Sequence, residues 1–220
     1  MRNGFRRVHL LVEGQTEEAV AALVIRPHLE GLGWHTSLSL VKTKRPAGGP
    51  SHRGGITSWA QVERDVRLLL NDSSLDVLTT LFDYYAFPDT CPGMVDRPPG
   101  DAYRQVEHVE RCLADAVGDR RFRPHLVLHE LEAWVFAAAE ELALLHGPEV
   151  ADRLRADVAA AGGPELVNDG PATAPSKRLL AYCPTYLKTS DGPAAVEELG
   201  IARLRAVCPH LDAWLRTFER

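Results

Sequence analysis

Val8-His9-Leu10-Leu11-Val12-Glu13-Gly14-Gln15-Thr16-Glu17-Glu18 passes from an apolar run to a helix start across a single Glu-Gly step. Residues 7–12 read as a short buried strand flanked by polar residues. Gly14 breaks the run, and Thr16-Glu17-Glu18 then supply an N-cap residue and acids suited to a helix's first turn. The apolar spacing carries this helix to about Leu29, where Gly31 and Gly33 end it. Glu13 therefore stands at the C-terminal end of a first strand, beside a helix N-terminus. In α/β proteins that edge is where sites are built.

Working outward, residues 35–41 alternate in polarity and predict a second strand. A loop rich in Gly, Pro and basic residues follows, and Ser58 caps a helix with Trp59, Val62, Val66, Leu69 and Leu70 on one face. Residues 76–82 predict a third strand ending at Asp83, then a Pro-rich loop over 87–100 and a helix from Asp101 to about Val117. Residues 124–128 predict a fourth strand that runs into His129-Glu130-Leu131-Glu132-Ala133-Trp134 and a further helix. Helical stretches follow over 149–161, 177–181 and from Pro193 to the end. The expectation is an α/β fold with a largely parallel sheet of about four strands flanked by helices over residues 1–160. Residues 161–220 are expected as a helical extension packed on the same domain.

The 220 residues are 45% hydrophobic and 25% charged, enough to bury a core of ordinary size. A basic start, Arg2 to Arg7, precedes the first strand, but the apolar run is short, contains His9 and ends at Glu13, unlike a cleaved leader. No stretch reaches the length of a membrane span, so a cytoplasmic protein without membrane contact is expected. The four cysteines are scattered, and Cys208-Pro209-His210 is the nearest approach to a zinc pattern; reduced, non-catalytic thiols are the reading adopted. A net charge of −5 argues against a general electrostatic clamp on nucleic acid and leaves local contact open.

The acids carry the chemistry. Glu13 follows strand one, Asp83 follows strand three, and Glu130 and Glu132 follow strand four. Strands of a parallel sheet open onto a common edge, so these side chains are expected to meet in one crevice. Clustered carboxylates repel unless a cation neutralises them, and hard oxygen ligands suit Mg²⁺ or Mn²⁺. A cation so held polarises a phosphodiester and activates water. Basic residues form two groups: Lys42, Lys44, Arg45 and Arg53 after strand two, and Ser176-Lys177-Arg178 with Lys188 further on. Each group reads either as a solvated charged face or as phosphate contact, with Lys177 placed to stabilise developing charge. Tyr84, in Asp83-Tyr84-Tyr85, reads either as a ring for stacking on bases or as a loop-packing residue.

These residues recur in one order in a bacterial family. Leu11-Val12-Glu13-Gly14-Gln15-Thr16-Glu17, Arg53-Gly54-Gly55, Phe82-Asp83-Tyr84-Tyr85 and His129-Glu130-Leu131-Glu132-Ala133-Trp134 are its first motifs. Asn168-Asp169-Gly170, Ala174-Pro175-Ser176-Lys177-Arg178, and Cys208-Pro209-His210 with Trp214 complete the set. The chain resembles a domain-of-unknown-function family whose members look like divergent Toprim domains. That resemblance implies a Glu after the first strand, matched by Glu13, and an Asp-x-Asp after a later one, whose leading Asp is Asp83. Tyr85 stands where the second Asp would be, and Glu130 or Glu132 is left to supply a carboxylate. Glu132-Ala133-Trp134 is similar to the Glu-x-Trp element of nuclease-like Toprim proteins and favours Glu132. The resemblance also implies Mg²⁺ or Mn²⁺, and genes beside ATPases of the overcoming-lysogenization-defect (OLD) type, in phage defence. Three functions follow as expectations. One is a metal-dependent nuclease on DNA or RNA, working with an OLD or AAA-type ATPase. Another is a non-catalytic Toprim-like module binding such an ATPase or nucleic acid. The remaining one is a phosphohydrolase for small molecules.

Overall fold

The computed structural model describes residues 6–41, 55–167 and 173–219. Five strands form one parallel assembly: β1 (Arg6–Val12), β2 (Trp34–Leu40), β3 (Val77–Asp83), β4 (Phe122–Arg123) and β5 (Leu126–Val127). The order is β2-β1-β3-β4, and β5 also pairs with β3. Register runs Val8↔Thr36 on one side of β1 and Val8↔Val77 on the other, all parallel. Parallel neighbours require crossovers, and the helices between strands supply them.

Both faces are covered, as parallel sheets demand. Alternation along β1 and β3 sorts the side chains. Val8, Leu10 and Val12 of β1, with Val77 and Leu81 of β3, enter one core together with the first helices and the C-terminal helices. Leu11, Leu78 and Phe82 enter the other core, against α3 (Trp59–Leu70) and α4 (Ala102–Val117).

The first predicted helix is three segments: α1 (Gln15–Val20), a π-helical turn (Ala21–Ile25) and α2 (Arg26–Gly31). Pro27 explains the widened turn, because it has no N–H for the preceding ladder and its ring crowds the turn before it. The fourth predicted strand is likewise divided. Pro124 cannot donate to the ladder, so β4 stops before it and β5 begins two residues later. Thr80 spans the break from β3, its hydroxyl donating to the His125 carbonyl at 2.8 Å and accepting from the His125 N–H at 2.9 Å.

The C-terminal helical region follows: α5 (Glu132–Ala137), α6 (Ala139–His146), α7 (Pro148–Ala161), α8 (Pro175–Tyr182), α9 (Asp191–Leu199), α10 (Ile201–Val207) and α11 (Pro209–Arg216). The stretch expected as one helix from Pro193 is cut at Gly200, which takes φ +79°, and at Cys208-Pro209. Among the described residues no helix is long and apolar enough to cross a membrane, and the four cysteines are free.

A candidate carboxylate metal centre

β1 and β3 end side by side, and that adjacency builds the crevice. Glu13 follows β1 directly. Its carboxylate accepts from the Ile56 N–H and, through its other oxygen, from the Asp83 N–H, each at 3.3 Å. Asp83, the last residue of β3, accepts from the Leu131 N–H at 2.8 Å, which ties the segment after β5 to the same place. Tyr84 N–H donates to the Val127 carbonyl at 2.9 Å and Tyr85 N–H to the His129 carbonyl at 2.6 Å, so the two strand exits run together. His129 takes φ +65°, a left-handed conformation that a residue without glycine's freedom adopts at a cost. This turn carries the chain from β5 to Glu130 and Glu132.

Glu132 opens α5 and is fully buried, at 0% exposure. Lys188 Nζ lies 3.0 Å from its Oε1 as an ion pair, yet neither carboxylate oxygen receives a well-directed hydrogen bond. A buried carboxylate is costly unless a cation compensates it, and Lys188 is the cation placed to do so. Glu130 differs: it accepts from the Ser176 N–H at 2.8 Å and the Ser176 hydroxyl at 3.1 Å, which ties it to the start of α8. Glu17, one helical turn beyond Glu13, is also buried and faces the same crevice.

The electrostatics report crowding. Burial pushes Glu13 up to about 7, helped by the Glu17 carboxylate and opposed by the Ile56 and Asp83 N–H groups. Burial raises Asp83 well above the ordinary range, with Glu17, Glu132 and Glu13 adding and Lys188 opposing. Glu17 and Glu132 are raised for the same first cause, burial, against the attraction of Lys188. Burial would lower Lys188, but Glu132, Asp83 and Glu17 more than offset it and hold its ammonium charged.

The structure brings Glu13, Asp83, Glu132 and Lys188 together, with Glu130 at the margin. Glu17 joins them unannounced by the sequence, because an acid in a helix's first turn is already explained by the dipole. Lys188, expected as a phosphate contact, faces the acids. Lys177 is exposed on α8 beside Ser176. Arg178 is engaged, its Nε donating to the Thr173 carbonyl at 2.8 Å and its Nη1 pairing with Asp157 at 2.7 Å. Tyr84 is 4% exposed in the second core with Arg97 Nη1 donating to its hydroxyl, a loop-packing position that offers no ring face to a base. Arg53, Lys42, Lys44, Arg45 and Asn168-Asp169-Gly170 lie outside the described residues.

The donors are of the type that a hard divalent cation takes. All are carboxylate oxygens carried by separate elements, and among the described residues they do not form a set of three ligand atoms within 4.8 Å of one another. A second gathering, Glu110, His125 and His210, places its ligand atoms within 4.8 Å of one another. It has the donor types a softer ion accepts. Its atoms, however, already bond one another: Glu110 Oε1 lies 2.9 Å from His210 Nε2 and 3.3 Å from His125 Nδ1, and accepts from the Leu126 N–H at 2.7 Å.

Fold and crevice together define a class: a parallel α/β sheet whose C-terminal edge gathers carboxylates under a C-terminal helical region. The chain belongs to the family described as Domain of unknown function (DUF4276), whose model matches residues 12–219. No curated protein matches it. Among solved structures, the C-terminal region of the Burkholderia pseudomallei OLD protein is similar at a TM-score of 0.45 and 15% identity, covering 99% of this chain and 100% of that one.

Proposed function

We propose that the chain is a Mg²⁺- or Mn²⁺-dependent nuclease that hydrolyses phosphodiesters at the crevice of Glu13, Glu17, Asp83 and Glu132. One observation carries the reading: a fully buried Glu132, paired with Lys188, shares its surroundings with three further carboxylates near the exits of β1 and β3. One ammonium, that of Lys188, does not balance four ionised carboxylates, and their oxygens are the ligand type that a divalent ion takes. A divalent ion bound there would polarise the scissile phosphate and acidify a water.

The chain's own residues do the positioning. The Ile56 and Asp83 N–H groups orient both oxygens of Glu13, and the Leu131 N–H orients Asp83. Ser176 binds Glu130 and thereby fixes the start of α8, and exposed Lys177 on that helix would be the phosphate contact. Arg178 holds that helix through Asp157. A partner ATPase and a role in phage defence extend the proposal along the resemblance of the sequence.

The test is nicking of plasmid DNA and of single-stranded DNA and RNA by purified protein with Mn²⁺, beside the Glu13→Gln variant. Wild-type cleavage is expected, lowered by about two orders of magnitude or more in the variant. Cleavage unaffected by the substitution would place the activity elsewhere. A second reading, a non-catalytic binding module, is favoured by Lys188 already facing the acids and by Tyr85 in place of a second Asp. Metal binding without cleavage of any of these substrates would select it.

A further inference from the structure

The position of Lys188 reaches beyond the choice of substrate. Four carboxylates, Glu13, Glu17, Asp83 and Glu132, share the crevice, and among the described residues Lys188 is the cation the structure brings against them. Its ammonium is 3.0 Å from Glu132 Oε1. Its charge is also felt at Glu13, Glu17 and Asp83.

The base of this side chain is anchored. Asp191 accepts from the Leu187 N–H at 2.9 Å and pairs with His146 at 2.9 Å. The Ser190 and Asp191 N–H groups both donate back to the Leu187 carbonyl, at 3.1 and 2.9 Å, closing a tight turn around Lys188. Tyr186, just before it, is buried. The side chain itself is 44% exposed. It is a compact, strongly hydrated charge on a flexible stem. It can leave the crevice for solvent by rotation about its own bonds while the backbone turn stays in place.

We infer that Lys188 is a tethered counter-cation: it holds the carboxylate crevice together in the metal-free protein and must swing out when a divalent cation enters. The inference rests on the metal-binding reading proposed above. It follows that metal affinity is set by a competition within the chain. An ammonium in the crevice offsets carboxylate repulsion without supplying geometry, whereas a divalent ion supplies both and must first displace it. Removing the ammonium while keeping its bulk should therefore tighten metal binding and weaken the metal-free fold.

The experiment is Mn²⁺ binding by electron paramagnetic resonance and calorimetry on wild type, Lys188→Met and Lys188→Arg, with thermal melts with and without Mn²⁺. Lys188→Met is expected to bind Mn²⁺ about tenfold tighter than wild type, to melt lower without metal and to recover with it. Lys188→Arg, which keeps the charge, is expected to stay near wild-type affinity. Unchanged or weaker binding in Lys188→Met, with wild type binding normally, overturns the tethered cation and leaves the metal reading standing. No Mn²⁺ binding by wild type or either variant overturns both. Should Lys188→Met be unfolded without metal, refolding on Mn²⁺ addition, followed by circular dichroism, supports the inference, and failure to refold overturns it.

Discussion

Gly14 shows how a single residue shapes the crevice. A Cβ at this position would sit 2.9 Å from the Glu17 carboxylate, closer than side-chain carbons approach oxygen. The backbone there is extended, at φ −147°, so alanine is conformationally allowed and the obstacle is only the carboxylate. Gly14→Ala should therefore push Glu17 aside with little loss of stability. Mn²⁺ affinity measured by calorimetry is expected to fall about threefold to tenfold, with the melting temperature nearly unchanged; equal affinity would remove Glu17 from the ligand set. At this scale the sequence exposed part of the crevice. Glu13, Asp83 and Glu132 were visible because each follows a strand, and strand exits of a parallel sheet share an edge. Glu17 was hidden by its ordinary role as a helix-start acid. Lys188 was expected as a phosphate contact, but its place against the acids was hidden, since nothing in an irregular turn between two helices says which way a lysine points.

Elements were legible where a periodic signal was long and uninterrupted. The strands β1, β2 and β3 lie within about a residue of their expected bounds, and α4 begins one residue after the expected Asp101. Departures occur where proline or glycine intervenes, at the π turn before Pro27, at Pro124, at Gly200 and at Pro209. Apolar spacing records a face and is blind to a local change in hydrogen-bond pattern, so it merged what the backbone divides. The divided edge strand carries its own prediction. The Thr80 hydroxyl serves both the N–H and the carbonyl of His125, a buried residue at 1% exposure. Thr80→Val preserves shape and strand propensity and removes both bonds, leaving two buried backbone groups unpaired. A loss of about 2–3 kcal/mol is expected in urea unfolding, with the mean residue ellipticity unchanged. A loss below about 0.5 kcal/mol would show that the β4–β5 break is held by other contacts.

At the scale of the whole molecule, the open question is how the two layers are joined at the sheet's free edge, beside β4 and β5. Glu110 comes from α4 in one layer and His210 from α11 in the other, and His125 lies between the two edge strands. Glu110 accepts the edge strand's Leu126 N–H, which would otherwise face outward unpaired, so the network both closes the edge and clamps the layers. Trp214 completes it, stacked on His125 at 4.3 Å with its Nε1–H donating to Thr79 at 2.9 Å. The sequence marks His210 and Trp214 within one motif but not their partner, since Glu110 is 100 positions from His210 and reads as an ordinary helix residue. Burial would raise Glu110, but the His210 charge and the hydrogen bonds from both imidazoles outweigh it and hold the carboxyl at about 2, below its ordinary 4.5. Burial opposes charging of His210, yet Glu110 and Glu165 leave its proton affinity above the ordinary 6.5. Burial lowers His125 to about 4, so it stays neutral and donates. The signs then fix a window. A lowered carboxyl contributes stability that is full above 4.5 and is lost as pH falls toward 2, while the raised His210 contributes below 6.5 and loses its contribution as pH rises through its folded value. The stability gap between wild type and Glu110→Gln is therefore expected to be widest near pH 5 to 6.5, at about 3 kcal/mol, and to narrow on both sides. Urea unfolding of the two proteins from pH 3 to pH 9 measures it. A gap of constant size across that range would mean that Glu110 acts here through packing and its bond to Leu126 rather than through charge.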